Sequence, residues 1–505
     1  MFNPIEILSS QQTYAADSAT IKSGTPSINL MENAGCTIVD TITQRFFKQP
    51  TLVLCGPGNN GGDGFVVARR LAQLGWEVDV KIFDKKKQFK NDAKTAYSKY
   101  TGNITALDSN FSKKYGLIID AIFGVGLSRP IDGELAEIIP IINDSGAKII
   151  AVDMPTGVNA DTGQIMGVAI KANLTVTFAR KKIGQVLLPG KQYCGETIVT
   201  DIGIKDQFIK CQNIKIYENL PILWLQKFPH YDISAHKYSY GHAVVNSGRA
   251  NQSGAAKLSS IAALRMGAGL VTISCPIESK EIYAANALSV MTYPCDNIEE
   301  FKNFLADLRK NVILLGPGNG VNERTKDFTI AAIESGKKVV LDADAITVFA
   351  DQPDDLFRII KQDIVMAPHQ GEFNRIFHNK ANTKIDLVQA ATKESQATIL
   401  LKGSDTVIAS PSGECSVNTN APAWLATAGS GDVLSGIITG LMARGMTGFD
   451  AACAGAWIHA EAANIFGPGM ISSDIVDMLP TVLQTLLKIS SVNGLGINKR
   501  SAIIN

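Results

Sequence analysis

No C-x-x-C pair occurs in this chain of 505 residues, whose eight cysteines are dispersed. Scattered cysteines argue against a zinc site or a disulfide framework and suit buried thiols in a reducing compartment. Excess charge of either sign is also missing: 48 Lys and Arg face 47 Asp and Glu, for a formal charge of +1. No net field draws the chain to nucleic acid or to an anionic membrane, so small molecules are the expected partners. An uninterrupted apolar run of about 18 residues is absent, and no spanning helix is expected. Residues 421–463 come nearest, but Asp432, Arg444 and Asp450 break them up. Residues 1–12 lack a basic stretch followed by a long apolar run, so no secretory leader is expected and the cytoplasm is the expected compartment.

Hydrophobic residues make up 45% and charged residues 19%, an ordinary balance for a globular chain. The length suggests about two to four domains. Short buried-type apolar runs alternate with helical spacing. Candidate strands in the first half are Thr51–Cys55, 78–83, Leu117–Ala121, 149–153 and Leu174–Phe178. In the second half they are His242–Asn246, Val312–Leu315, 339–341, Ile364–Met366 and 399–401. Continuous rather than alternating apolar runs point to an α/β chain with mostly parallel sheets covered on both faces. A break in the series places a domain boundary near residue 225, giving 1–225 and 226–505. Gly56-Pro57-Gly58-Asn59 and Gly316-Pro317-Gly318-Asn319 form a short echo, each after a strand.

The first half carries Gly56-Pro57-Gly58-Asn59-Asn60-Gly61-Gly62-Asp63-Gly64, followed by a helix expected from about Phe65 to Leu74 and stopped by Gly75. Gly56, Gly58 and Gly61 match a G-x-G-x-x-G dinucleotide turn. Asp63, however, stands where a pyrophosphate would approach, and its charge repels it. The oxygens of Asn59, Asn60 and Asp63 suit a cation, a hydroxyl or a carboxamide, and a plain strand-to-helix turn is the remaining alternative. Two further strands end in acids: Asp120 before Gly124 and Gly126, and Asp153 before Thr156 and Gly157. Parallel strands bring their C-terminal ends to one edge. There Asn60, Asp120 and Thr156 could converge on a hard cation, leaving Asp153 for hydrogen bonding or proton transfer.

In the second half, Gly429-Ser430-Gly431-Asp432 opens a helical pattern of Val433, Leu434, Ile437, Ile438, Leu441 and Met442, closed by Gly445. A glycine turn at a helix N-terminus stabilises charge developing on a phosphoryl group. An aspartate there can take the proton of an attacking hydroxyl; alternatively Asp432 is only an N-cap. Strand ends at Gly318, at Asp342 and Asp344, at His369 with Gly371 and Glu372, and at Lys402-Gly403-Ser404-Asp405-Thr406 surround it in the expected topology. No G-x-x-x-x-G-K-[ST] turn occurs, which excludes a P-loop enzyme.

These motifs carry two resemblances. Asn59 to Gly64, Asp120 to Gly126 and Asp153 to Gly157 look like the NAD(P)H-hydrate epimerase family. That implies a Rossmann-like three-layer domain, a potassium ion held by Asn60, Asp120 and Thr156, and catalysis involving Asp153. It also implies a substrate pocket lined by Asn59, Asn60, Gly61, Gly62, Asp63, Gly124, Val125, Gly126, Leu127, Ser128, Arg129, Pro130 and Asp153. The second half, with Gly254 to Leu258, Leu341 to Asp344, Pro368 to Glu372 and Gly429 to Asp432, is similar to the ADP- or ATP-dependent NAD(P)H-hydrate dehydratases of the ribokinase-like superfamily. That implies a ribokinase-like three-layer domain in which Ala255, Gly318, His369 and Asp432 contact the hydrated nucleotide. Lys402, Gly403, Ser404, Asp405, Thr406 and Gly431 would contact ADP, which brings Mg2+. The implied activity is repair of hydrated NADH and NADPH. The R and S forms are epimerised at C6, and the S form is dehydrated at the expense of ADP, with AMP and phosphate released. ADP is favoured over ATP by the fused arrangement, and a closed homo-oligomer is common among such enzymes. A kinase for a small alcohol is the competing enzyme reading, and a binding module is the alternative for the first half.

Overall fold

All five residues of the strand Thr51–Cys55 are buried, and they divide between two cores. Val53 and Cys55 pack with residues of the helices Ser27–Arg45 and Asn59–Gln73, while Leu52 and Leu54 pack with the helix Gly133–Asn143. A strand covered on both faces is largely apolar, and its buried polar residues are hydrogen-bonded, as Thr51 is to the Gln49 carbonyl, which is why these strands read as nearly continuous apolar runs. The computed structural model describes residues 4–84, 88–108, 115–285, 288–361 and 363–492, with side chains through 489. Among them, the first sheet reads from edge to edge Ile104–Ala106, Val78–Ile82, Thr51–Cys55, Leu117–Ala121, Lys148–Val152, Leu174–Phe178 and Glu196–Thr200. Every pairing in it is parallel. The chain runs outward from Thr51–Cys55 in one direction and then returns to its other side at Leu117–Ala121. The ends of those two strands therefore flank the crevice where ligands bind in such sheets.

The helix expected from about Phe65 begins at Asn59. A Cβ on Gly61 would lie 1.8 Å from the Gly56 carbonyl oxygen, and one on Gly64 would meet Ala121 and Cys55 at 2.7 and 2.9 Å. The glycine run is thus the contact surface of the first helical turns, and it brings Asn59 and Asn60 onto a helix N-terminus with free N–H groups. The strand expected over 149–153 is Lys148–Val152, which puts Asp153 just beyond it.

The second sheet has ten strands among the described residues: Ile216–Glu218, Cys415–Val417, Val407–Ala409, Thr398–Leu401, Ile364–Met366, Lys338–Leu341, Val312–Leu315, His242–Asn246, Leu270–Cys275 and Met291–Pro294, in spatial order. From Thr398–Leu401 to Met291–Pro294 the pairings are parallel; Val407–Ala409 pairs antiparallel with both its neighbours. Its order reverses between His242–Asn246 and Val312–Leu315. One face is covered by the helices Ser253–Arg265, Ser430–Ala443, Gly448–Phe466 and Ser472–Val492 over Val245, Leu314, Val340 and Val365. On the other face the helix Glu323–Glu334 packs on Val312–Leu315 and Lys338–Leu341, with Phe328 stacked on Phe301 at 4.5 Å. The chain divides into two compact units, Met1–Ile216 and Tyr217–Asn505, ahead of the expected position near residue 225. Trp224 is already fully buried in the second unit's core.

The helices Ser253–Arg265 and Ser430–Ala443 meet along small residues. A Cβ on Gly436 would lie 2.2 Å from the carbonyl oxygen of Ser259. Gly436→Ala is therefore expected to cost about 1–3 kcal/mol by overpacking, read as a lower thermal unfolding midpoint; an unchanged midpoint would refute the tight contact. No described helix is long and apolar enough to cross a membrane.

Candidate functional site

In the first unit, a cavity of about 400 Å³ opens at the strand-order reversal and is lined in part by Asn59, Asn60, Asp63, Gly124 and Asp153. Asp153 has a φ of 64°, a strained conformation for a residue other than glycine and common at functional positions. Its Oδ1 accepts from Lys182 Nζ at 2.5 Å and from Thr177 Oγ1 at 2.8 Å, and Gln185 Nε2 donates to its carbonyl at 2.7 Å. Lys182 is 1% exposed, and a cation so buried needs this partner. Asp120 is fully buried. Its Oδ2 accepts from Thr156 N at 2.7 Å, and its Oδ1 accepts from Thr156 Oγ1 at 2.7 Å and Ile122 N at 3.3 Å. Burial pushes the Asp120 carboxyl up to about 6 against the opposing hydrogen bonds from Thr156. Phe123 N donates to Thr156 Oγ1 at 3.0 Å. Next along the loop, Gly124 lies against Asn60, whose Oδ1 is 2.9 Å from where a Cβ would stand. The loop after Ala121 thus joins Asn60 to the Asp120–Thr156 pair. Asn60 Nδ2 is buried without a hydrogen-bond partner. Asp63 is raised well above the ordinary carboxylate range by burial and then by the charges of Asp153 and Asp17.

In the second unit, Gly429 is the N-cap of the helix Ser430–Ala443, with a φ of 83° and no side chain to cap with. Asp432 lies inside the first turn, so it is not an N-cap. Its carbonyl accepts from Ser259 Oγ at 2.9 Å, which ties the turn to the neighbouring helix. Burial raises the Asp432 carboxyl to about 6, the charge of Asp342 adds to this, and Lys402 opposes it. Lys402 Nζ donates to Asp342 Oδ1 at 2.6 Å, and Ser435 Oγ donates to Asp342 Oδ2 at 2.5 Å. Burial would lower the Lys402 ammonium, but Asp342 outweighs it and holds it raised. A cavity of about 370 Å³ is lined by the polar Lys402, Ser404, Thr406 and His369 with Gly403 and Gly431, and by the apolar Pro422, Leu425, Leu434 and Ala456. His459 also lines it, with Nε2 buried and unpartnered. Burial lowers its imidazole to about 4, so the ring is neutral around pH 7. A second cavity, of about 670 Å³, lies at the strand-order reversal between Gly248, Gln252, Asn319 and Arg324. Asp432 itself lines neither cavity, but its acidic neighbours hold residues that do. Asp342 holds Lys402 on one side, and Asp344 Oδ2 accepts from Gly320 N at 2.7 Å on the other.

Family models match both halves: the YjeF-related protein N-terminus over residues 27–184 and NAD(P)H-hydrate dehydratase over 243–482. Across 500 residues the chain is 35% identical to the bifunctional NAD(P)H-hydrate repair enzyme Nnr of Moorella thermoacetica, spanning 91% of this chain and 93% of that one. The chain belongs to the bifunctional NAD(P)H-hydrate repair enzymes. The Coxiella burnetii Nnr is 32% identical over 456 residues, spanning 88% of this chain and 91% of its own. Among solved structures, an ADP/ATP-dependent NAD(P)H-hydrate dehydratase from Bacillus subtilis is 24% identical, with a TM-score of 0.46, over 52% of this chain and 96% of its own.

This repair enzyme thus pairs an epimerase unit with a dehydratase unit. In the epimerase unit, the cavity takes in Asn59, Asn60, Asp63, Gly124, Val125, Gly126 and Asp153. Gly61 is buried against the Gly56 backbone, and Gly62 against Met31 and Ala93 of neighbouring helices. Leu127 turns into the core, and Ser128, Arg129 and Pro130 are exposed beyond the cavity. In the dehydratase unit, Lys402, Gly403, Ser404, Thr406 and Gly431 share one cavity, whereas the Asp405 carboxylate accepts from Lys384 Nζ at 2.7 Å. Gly318 stands by the larger cavity, where a Cβ would be 2.5 Å from the Gln252 carbonyl; Ala255 lies in the first turn of the helix Ser253–Arg265. His369 caps the helix Gln370–Ile376: its Nδ1 accepts from Gly371 N at 2.9 Å and Glu372 N at 3.2 Å, which puts the proton of a neutral ring on Nε2. Sequence reasoning missed Lys182, His459 and the pairing of Lys402 with Asp342. A lone histidine in the alanine-rich run around 459 was the one visible signal; the two ion pairs have no local signature.

Proposed function

We propose that the epimerase unit interconverts the R and S hydrates of NADH and NADPH at C6, and that the dehydratase unit consumes the S hydrate with ADP, releasing AMP and phosphate. The observation that carries the reading is Asp432: a carboxyl of raised proton affinity in the first turn of a helix, beside a lysine held by Asp342. A base whose pKa approaches the working pH combines the correct charge state with useful proton affinity. Asp432 takes the proton of the C6 hydroxyl, and that oxygen attacks the terminal phosphorus of ADP as the bond to AMP breaks. The phosphate then leaves C6, driven by the ring nitrogen, and loss of a C5 proton restores the dihydronicotinamide. Lys402 and the helix N-terminus offset the charge on the phosphoryl oxygens. The apolar lining of the 370 Å³ cavity, with neutral His459, suits a nucleobase.

A potassium ion fits Asn60, Asp120 and Thr156. The orphaned Asn60 amide supports this, since exchanging its O and N turns an acceptor to the buried position. Asp120 is fully buried, and a cation would supply charge balance for it and fix the loop from Ile122 to Gly124. Mg2+ would enter on the ADP phosphates, and carboxylates such as Asp344 near Asp432 suit it, because without it they repel a polyphosphate.

The test is turnover of the S hydrate with ADP, with ATP and with neither. Return of NADH absorbance with one free phosphate per nucleotide, faster with ADP, is the expected result. A stable phosphorylated product without NADH would instead indicate a kinase for an alcohol.

A further inference from the structure

The epimerase cavity contains a carboxyl outside every sequence motif. Asp17, in the middle of the helix Ser10–Lys22, lines the same cavity as Asn59, Asp63 and Asp153. Its Oδ1 is buried with no hydrogen-bond partner, whereas Oδ1 of Asp153 is engaged by Lys182 and Thr177. Burial pushes the Asp17 carboxyl up to about 6; Lys182 opposes the rise and Asp153 adds to it. The two acids therefore come from different elements, lie within electrostatic reach of each other, and sit in unlike surroundings. Such a pair is the usual arrangement for dividing acid and base work at one centre.

Inversion at C6 by loss and return of water needs a proton delivered to the oxygen that leaves and another removed from the water that returns. We infer that Asp17 is the second proton-transfer group of the epimerase, acting with Asp153 on the C6 oxygen of the hydrated nicotinamide. One carboxylic acid protonates the C6 hydroxyl, the C6–O bond breaks, water departs, and the ring nitrogen's lone pair forms a C=N bond. Water then adds to the other face of C6, its proton passes to the other carboxylate, and the electron pair returns to nitrogen. One water leaves and one is added, while one proton moves between the carboxyls and is reset by exchange with solvent. Conversion of R to S and of S to R uses the two groups in opposite order. This inference rests on the epimerase reading above.

The experiment uses the full chain carrying Asp432→Asn, so that S hydrate accumulates, in water enriched in oxygen-18. With Asp17 intact, each inversion should introduce one labelled oxygen at C6. Adding Asp17→Asn should slow both inversion and label uptake at least a hundredfold, and Asp17→Glu should recover part of both. Inversion at the undiminished rate in Asp17→Asn overturns the inference. So does equal loss in Asp17→Asn and Asp17→Glu with a lowered unfolding midpoint, which marks a packing role. Inversion without label overturns the bond-breaking route. If the chain with Asp17 intact does not invert C6, the epimerase reading itself fails instead; if Asp153→Asn leaves inversion untouched, the pairing of Asp17 with Asp153 is overturned.

Discussion

Asp432→Asn is expected to lower nucleotide-dependent recovery of NADH from the S hydrate by a factor of about a hundred to ten thousand, the range that general base catalysis supplies. Asparagine keeps the size of the side chain and the turn geometry, so the loss isolates the proton acceptor. The groups acting on Asp432 are Asp342, Asp344 and Glu372, which raise its proton affinity, and Lys402, which lowers it; burial is the largest influence and sets it at about 6. Because the base form does the work, the rate should rise with pH up to about 6 and level off above it. An unperturbed carboxyl, near 3.8, would place that bend about two pH units lower. Retention of most activity in Asp432→Asn would remove Asp432 from the role of base. A bend near the unperturbed value would remove the buried cluster as its cause.

Asp120→Ala should slow repair of the R hydrate at least tenfold while S-hydrate repair continues at the original rate. The buried carboxylate accepts from Thr156 N, Thr156 Oγ1 and Ile122 N. Removing it strands those donors, at about 1–3 kcal/mol for each buried group left unpaired, and loosens the loop that carries Phe123 and Gly124. In the proposed scheme the S form needs only the dehydratase unit, which has its own core. Potassium titration sharpens the test: R-hydrate repair should depend on potassium in the unaltered chain and lose that dependence in Asp120→Ala. Undiminished R-hydrate repair in the variant would make the proposed cation site wrong.

The amino-acid sequence by itself determined the α/β class and most strand positions, because strands such as Thr51–Cys55 and Val312–Leu315, buried on both faces, are nearly continuous apolar runs. It also marked the Gly429–Asp432 turn, since a φ of 83° at Gly429 demands a glycine there, and the acids that follow apolar strand runs, since a charge interrupts such a run visibly. Tertiary structure decided the rest. The glycine run near Asn60 is helix and not loop because Gly61 packs on the Gly56 backbone, a contact that turn propensity does not encode. Lys402 meets Asp342 across 60 residues, and Lys182 meets Asp153 across 29, only because parallel strands deliver their ends to one edge. Asp17 reaches the epimerase cavity from a helix whose own pattern says nothing about chemistry. Local spacing reports backbone periodicity and turn sterics, whereas the proton affinity of Asp17, Asp120 or Asp432 depends on burial and on charges that folding brings close from distant parts of the chain.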